Sequence, residues 1–112
     1  MKEISFKLIS NGIEIINEKT SYYEKDNTIN FCIKGDVYKF DKKNVILRKK
    51  DQEKELVIKI NEKVIIIEVI KEGISVDYPI NVITTEISDS KVFFSYSLDS
   101  EEELENTIII EF

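Results

Sequence analysis

The chain has 112 residues, a formal net charge of -6, one cysteine and no histidine. Without histidine, every Ser-His-Asp or Cys-His arrangement, every zinc site built on imidazole and every histidine general base is excluded, and the acidic balance disfavours duplex nucleic acid, whose binding rests on lysine and arginine neutralising phosphates. One domain over residues 1–112 is the expectation from length, large enough to bury about two thirds of the surface of the unfolded chain without a disulfide or metal staple.

The N-terminus reads Met1-Lys2 and then Glu3-Ile4-Ser5-Phe6-Lys7-Leu8, where charges interrupt each apolar step and leave no signal-peptide core. A first strand is expected over residues 3–10. Asn11-Gly12 is a strong hairpin signal by composition, but its two-residue register sets Leu8 opposite Ile15 and Phe6 opposite Asn17, so a bulge or a longer loop is expected. A break follows at Asp26-Asn27. Gly35-Asp36, with glycine first, suits a type II′ turn that sets Ile33 opposite Tyr38, Phe31 opposite Phe40 and Cys32 opposite Lys39.

Further breaks are expected over residues 41–44 and 51–54. Asn61-Glu62-Lys63 separates Leu56-Val57-Ile58-Lys59-Ile60 from Val64-Ile65-Ile66-Ile67-Glu68-Val69-Ile70, and the second run, apolar apart from Glu68, reads as a strand covered on both faces. Its pure apolar stretch is far short of the roughly twenty residues of a membrane-spanning helix. Breaks at residues 71–73 and at Tyr78-Pro79 come next, Pro79 marking a strand end or an edge because it cannot donate to a ladder. A hairpin centred on Asp89-Ser90 sets Ile87 opposite Val92, Thr85 opposite Phe94 and Ile83 opposite Tyr96, with Glu86, Ser88 and Ser95 on the wetter face. Ser100-Glu101-Glu102-Glu103-Leu104 is the one helical candidate, a serine cap before acidic first-turn residues. The last strand places Ile108, Ile110 and Phe112 on one face.

Eight or more short strands joined by tight breaks predict an all-β fold, an antiparallel up-and-down β-barrel of about eight to ten strands, because closure removes the exposed edges of so isoleucine-rich a sheet. A two-sheet β-sandwich is the alternative. The opening strand over residues 3–10, the Gly35-Asp36-Val37-Tyr38 and Leu56-Val57-Ile58-Lys59-Ile60 segments, and the Lys91-Val92-Phe93-Phe94-Ser95-Tyr96-Ser97-Leu98 run before a last apolar strand resemble the YwiB-like, lipocalin-like (calycin-type) bacterial β-barrel family. That family's arginine-glycine motif after the Val64 strand is replaced here by Glu68 and Gly73, and the resemblance carries over no functional residue.

Gly12, Gly35 and Gly73 are far apart, so no glycine-rich phosphate loop exists. Cys32 needs a nearby positive charge to become a reactive thiolate, and Lys39 is the nominee; the alternative is an inert thiol on a strand. Glu68, Asp77 and Glu86 interrupt β-patterned segments and are the candidates for an acid-base pair, against a solvated sheet face. Arg48, the only arginine, stands with Lys49 and Lys50 in the basic stretch 39–50, opposed by an acidic stretch at 99–105. Charge asymmetry of this kind steers an anionic ligand or a second subunit.

The lone thiol points to a reducing, cytoplasmic setting. The expected role is non-enzymatic binding of a small anionic or amphipathic molecule, or of a protein partner, through Arg48, Lys49 and Tyr38. A homo-oligomeric module, such as a homodimer formed through an exposed strand or the face of residues 64–70, is the alternative, and a carboxylate-based enzyme the third class. No cofactor, metal, nucleic acid or membrane partner is expected.

Overall fold

The computed structural model describes residues 2–112, so Met1, the first residue of the segment read for a leader, lies outside the described residues. Ten strands follow one another: β1 (Glu3–Ser10), β2 (Ile13–Lys25), β3 (Thr28–Ile33), β4 (Asp36–Asp41), β5 (Ile46–Lys50), β6 (Lys54–Lys59), β7 (Val64–Val69), β8 (Ile74–Ile87), β9 (Lys91–Leu98) and β10 (Glu101–Glu111). Sequential strands pair antiparallel, and β10 pairs with β1, so the order of hydrogen-bonded neighbours closes into a ten-stranded up-and-down barrel. β2 and β8 are long because each serves two ladders in succession. By packing, the chain forms two compact units, residues up to 21 with 80–112, and residues 22–79.

Left-handed residues mark six of the connections. Asn11-Gly12, Asp26-Asn27 and Lys34-Gly35 are two-residue loops with positive φ at both positions, as type I′ turns require. The four-residue loops 42–45, 60–63 and 70–73 each end on one positive-φ residue, Val45, Lys63 and Gly73. Val45 is β-branched at φ 55, a conformation that costs about 1–2 kcal/mol, and its buried side chain offsets that strain. Two turns are further held by aspartates. The Lys43 and Asn44 amides donate to Asp41 Oδ1 (2.9 and 3.1 Å), and those of Glu53 and Lys54 to Asp51 Oδ1 (2.7 and 2.8 Å).

In the first unit, β1, β10 and β9 form the centre of a sheet whose apolar face buries Ile4, Phe6, Val92, Phe94, Tyr96, Ile108 and Ile110. Ladder pairing sets Phe6 beside Ile110 and Ile108 beside Phe94, so the period-2 alternation of each strand builds one continuous core. The first hairpin turns at Asn11-Gly12 with a bulge after Leu8, which pairs with Ile16 and leaves Ile15 as the extra residue; Phe6 consequently faces Glu18. The Asp89-Ser90 hairpin pairs Ile87 with Val92 and Thr85 with Phe94, but a bulge at Ile83 sets Val82, not Ile83, opposite Tyr96. Ser95 is buried rather than wet: it lies on the middle strand between Thr107 and Thr84, and its short side chain sits below its neighbours. Of the helical candidate at 100–104, Ser100 is a turn residue and Glu101 opens β10, which bulges between Glu101 and Glu105; one capped turn does not meet the cost of helix nucleation.

In the second unit the sheet runs from the end of β2 through β3 to β7 and into the start of β8. One face buries Ile29, Phe31, Ile33, Tyr38, Phe40, Leu47, Ile58 and Ile65. The β3–β4 turn lies one residue earlier than expected, at Lys34-Gly35, so Phe31 pairs with Tyr38, Ile29 with Phe40 and Cys32 with Val37. The turn places glycine second, and the shift of two in the register sum keeps every side chain on its expected face. β7 is less covered than its sequence implies: Ile65 alone is buried, while Val64, Ile66, Ile67 and Val69 are half-buried. Pro79 is not a break. It lies inside β8 as the last residue paired to β7, and Ile80 opens the ladder to β9. A missing N–H is tolerated where one ladder ends.

Phe40 and Phe94 are each fully buried, and replacing either by alanine is expected to cost about 3–5 kcal/mol, read as a fall in the urea midpoint, whereas Phe93→Ala, at a half-buried position, costs much less. The Asn44 amide group and the neighbouring backbone amides hold Asp41 below the usual carboxylate range, and the Lys54 and Glu53 amides do the same for Asp51. Their contribution to stability is present above the ordinary value of 3.8 and is lost as the pH falls through the lower folded value. Asp41→Asn with Asp51→Asn is expected to flatten the acid limb of stability against pH below about 4.

Candidate functional site

β4 and β5 carry the three residues singled out by charge and aromaticity, and alternation divides them. Tyr38 and Lys49 pair across the ladder on the core-side face of the second unit; Lys39 and Arg48 pair on the opposite face. Tyr38 is 2 % exposed and stacks on Phe31 with ring centroids 5.1 Å apart and planes 8° from parallel. It is therefore a core ring, not a rim. Lys49 Nζ lies 3.5 Å from Asp36 Oδ2 on the same side, and Arg48 Nη1 lies 3.3 Å from Glu55 Oε1 on the other. The Arg48, Lys49 and Tyr38 set is thus not one constellation, because neighbours in a strand point to opposite sides.

On the core-side face, the row Tyr38–Lys49–Leu56–Ile67–Val76 crosses β4 to β8, beside the row Phe40–Leu47–Ile58–Ile65–Tyr78. A third row toward the hairpin ends carries Lys54, Val69 and Ile74. The face is closed at Phe40 and Ile58 and opens toward β8, where Ile74 is 52 %, Val76 45 % and Tyr78 39 % exposed. Half-buried Leu56, Ile67 and Val69 continue it. The alternation Ile74-Ser75-Val76-Asp77-Tyr78 was the available signal for these residues, but alternation reports a face and not whether that face is covered.

The remaining candidates are dispersed. Cys32 is exposed, pairs with Val37 rather than Lys39, and lies on the face away from the core. Glu68 and Asp77 share that face, on β7 and β8, with Glu68 between Glu55 and Ser75. Glu86 belongs to the first unit, opposite Phe93. All three acids are exposed. The acidic stretch surrounds an open depression of about 570 Å³ lined by Asp99, Ser100, Leu104 and the glutamates between them. A second, of about 380 Å³, lies between the β3–β4 and β5–β6 turns, lined by Lys34, Gly35, Asp36, Asp51, Gln52 and Glu53. Among the described residues no cluster of acids and cysteine has the arrangement of a metal site, and no helix is long and apolar enough to cross a membrane. Comparison of the chain with protein-family models and with curated proteins finds no match.

Burial, with Asp36 nearby, pushes the Tyr38 phenol up to about 12, and burial alone does the same to Tyr96. Both rings stay neutral at ordinary pH. The unfolded chain loses these protons near 10.0 and the folded chain near 12, so between those values the unfolded state binds fewer protons and stability falls as the pH rises. Urea midpoints measured across that range are expected to fall less steeply in Tyr38→Phe and Tyr96→Phe than in the parent chain.

Proposed function

We propose that the protein is a non-enzymatic binding barrel that takes an amphipathic molecule, an apolar body with an anionic head, on the core-side face of β6 to β8. The observation that carries this reading is the exposure of Ile74, Val76 and Tyr78 on the face that elsewhere forms the core. Full burial of such a side chain is worth roughly 1.5–3 kcal/mol, and about half of that remains available to a ligand at each position. Lys49 and Lys54 stand on the same face beside Leu56 and Val69, where ammonium groups meet a carboxylate, sulfate or phosphate head. Arg48, on the other side of the sheet, takes no part.

The cytoplasmic setting inferred from lone Cys32 belongs to the same proposal. No observation favours a carboxylate-based enzyme, since Glu68, Asp77 and Glu86 are solvent-exposed and share no cleft.

Isothermal titration with dodecanoate and with uncharged dodecanol tests the reading. Both are expected to bind. Val76→Asp should weaken both by at least about tenfold, and Lys54→Glu should weaken dodecanoate while sparing dodecanol. Absence of binding by the parent chain, or equal binding by Val76→Asp, refutes it.

A further inference from the structure

The face of the second unit turned away from Phe40 and Tyr38 has an ordered charge pattern. One row across it reads Asn30–Lys39–Arg48–Val57–Ile66–Asp77, and the next reads Cys32–Val37–Lys50–Glu55–Glu68–Ser75. Along these two rows positive groups occupy β4 and β5, negative groups occupy β6 to β8, and apolar Val57 and Ile66 lie between. The row on the other side of the first, Thr28–Asp41–Ile46–Lys59–Val64–Pro79, has the opposite sense, but there Asp41 is held by the Lys43 and Asn44 amides and Lys59 lies 3.7 Å from Glu62. Lys39, Lys50, Glu68 and Asp77 are all exposed, and none of them takes part in an ion pair among the described residues. Four free charges sorted by sign across one sheet face are not what solubility alone requires, which mixed signs satisfy equally well.

We infer that this face is self-complementary and binds a second copy of the chain, face to face, about a two-fold axis running along β6. Such an axis exchanges β4 with β8 and β5 with β7 and keeps each row in place. It therefore sets Lys39 against Asp77 of the partner and Lys50 against the partner's Glu68, while Val57, already buried within the chain, lies beneath the axis. The isologous rule, that each contact occurs twice, doubles both ion pairs. Glu55 meets its symmetry mate near the axis, and there its charge is already matched by Arg48 at 3.3 Å. A two-fold along β6 sets that strand parallel to its own mate, and the twist of each sheet opens the angle toward β4 and β8, where the long lysine side chains reach across.

This surface is separate from the apolar face of the ligand proposal, so the two stand or fall independently. Sedimentation equilibrium at low ionic strength is expected to show a dimer whose dissociation constant rises with added salt. Lys39→Glu with Lys50→Glu, and separately Glu68→Lys with Asp77→Lys, should each raise that constant by about a hundredfold, with circular dichroism spectra unchanged. Mixed in equal amounts, the two variants should form a heterodimer in native mass spectrometry at close to the parent affinity, because each reversed charge then meets an opposite one across the two-fold. A parent chain that stays monomeric, a dimer indifferent to both reversals, or variants that fail to pair when mixed would overturn the inference.

Discussion

Side-chain alternation along antiparallel strands, locked by short left-handed turns, is the constraint on which everything else in this structure rests. Lys34 and Gly35 both adopt positive φ, and from that turn the pairing of Phe31 with Tyr38 and of Ile29 with Phe40 follows. The same pairing sends Lys39 and Cys32 to the other side. A turn displaced by a single residue leaves these faces intact, because the pairing then changes by two along the ladder, which is the period of the strand. The face assignment is for that reason more robust than the identity of any one cross-strand pair.

The aromatic residues show what this constraint does to a candidate site. Tyr38 looks in sequence like a companion of Arg48, yet the ladder puts its ring flat against Phe31 inside the core and points the guanidinium to the opposite side. Lys49, the direct neighbour of Arg48, shares the side of Tyr38 and is held by Asp36. The basic stretch is thereby split between two surfaces with different prospects. Lys49 borders an apolar face that opens toward β8, and Arg48, Lys39 and Lys50 form one half of a sorted charge pattern.

β2 and β8 concentrate the exceptions to good burial. Ile13, Ile15 and Tyr23 on β2, and Ile74, Val76, Tyr78, Ile83 and Ile87 on β8, are all exposed. Each half of these strands is laddered along one edge, since each strand spends its two sets of hydrogen bonds on different partners in turn. Side chains on a strand with one neighbour lose the lateral cover that β9, flanked on both sides, gives even to Ser95 and Ser97. Ile74, Val76 and Tyr78 follow one another on a face that elsewhere forms the core, and neighbouring exposed apolar side chains of that kind mark a binding surface.

The amino-acid sequence by itself determined the all-β class, the antiparallel up-and-down order, the hairpins at Asn11-Gly12 and Asp89-Ser90, an irregularity in the first hairpin and the shared face of Phe31, Ile33, Tyr38 and Phe40, because turn chemistry and period-2 alternation are local properties. Tertiary structure alone decided the bulge at Ile83, the continuation of β8 through Pro79, the strand in place of a helical turn before Leu104 and the burial of Ser95. It also decided that Tyr38 and Arg48 do not meet while Val76 and Tyr78 lie open. Each of these depends on which strand lies alongside, and hydrogen-bond partners and lateral cover are supplied by residues distant in the chain.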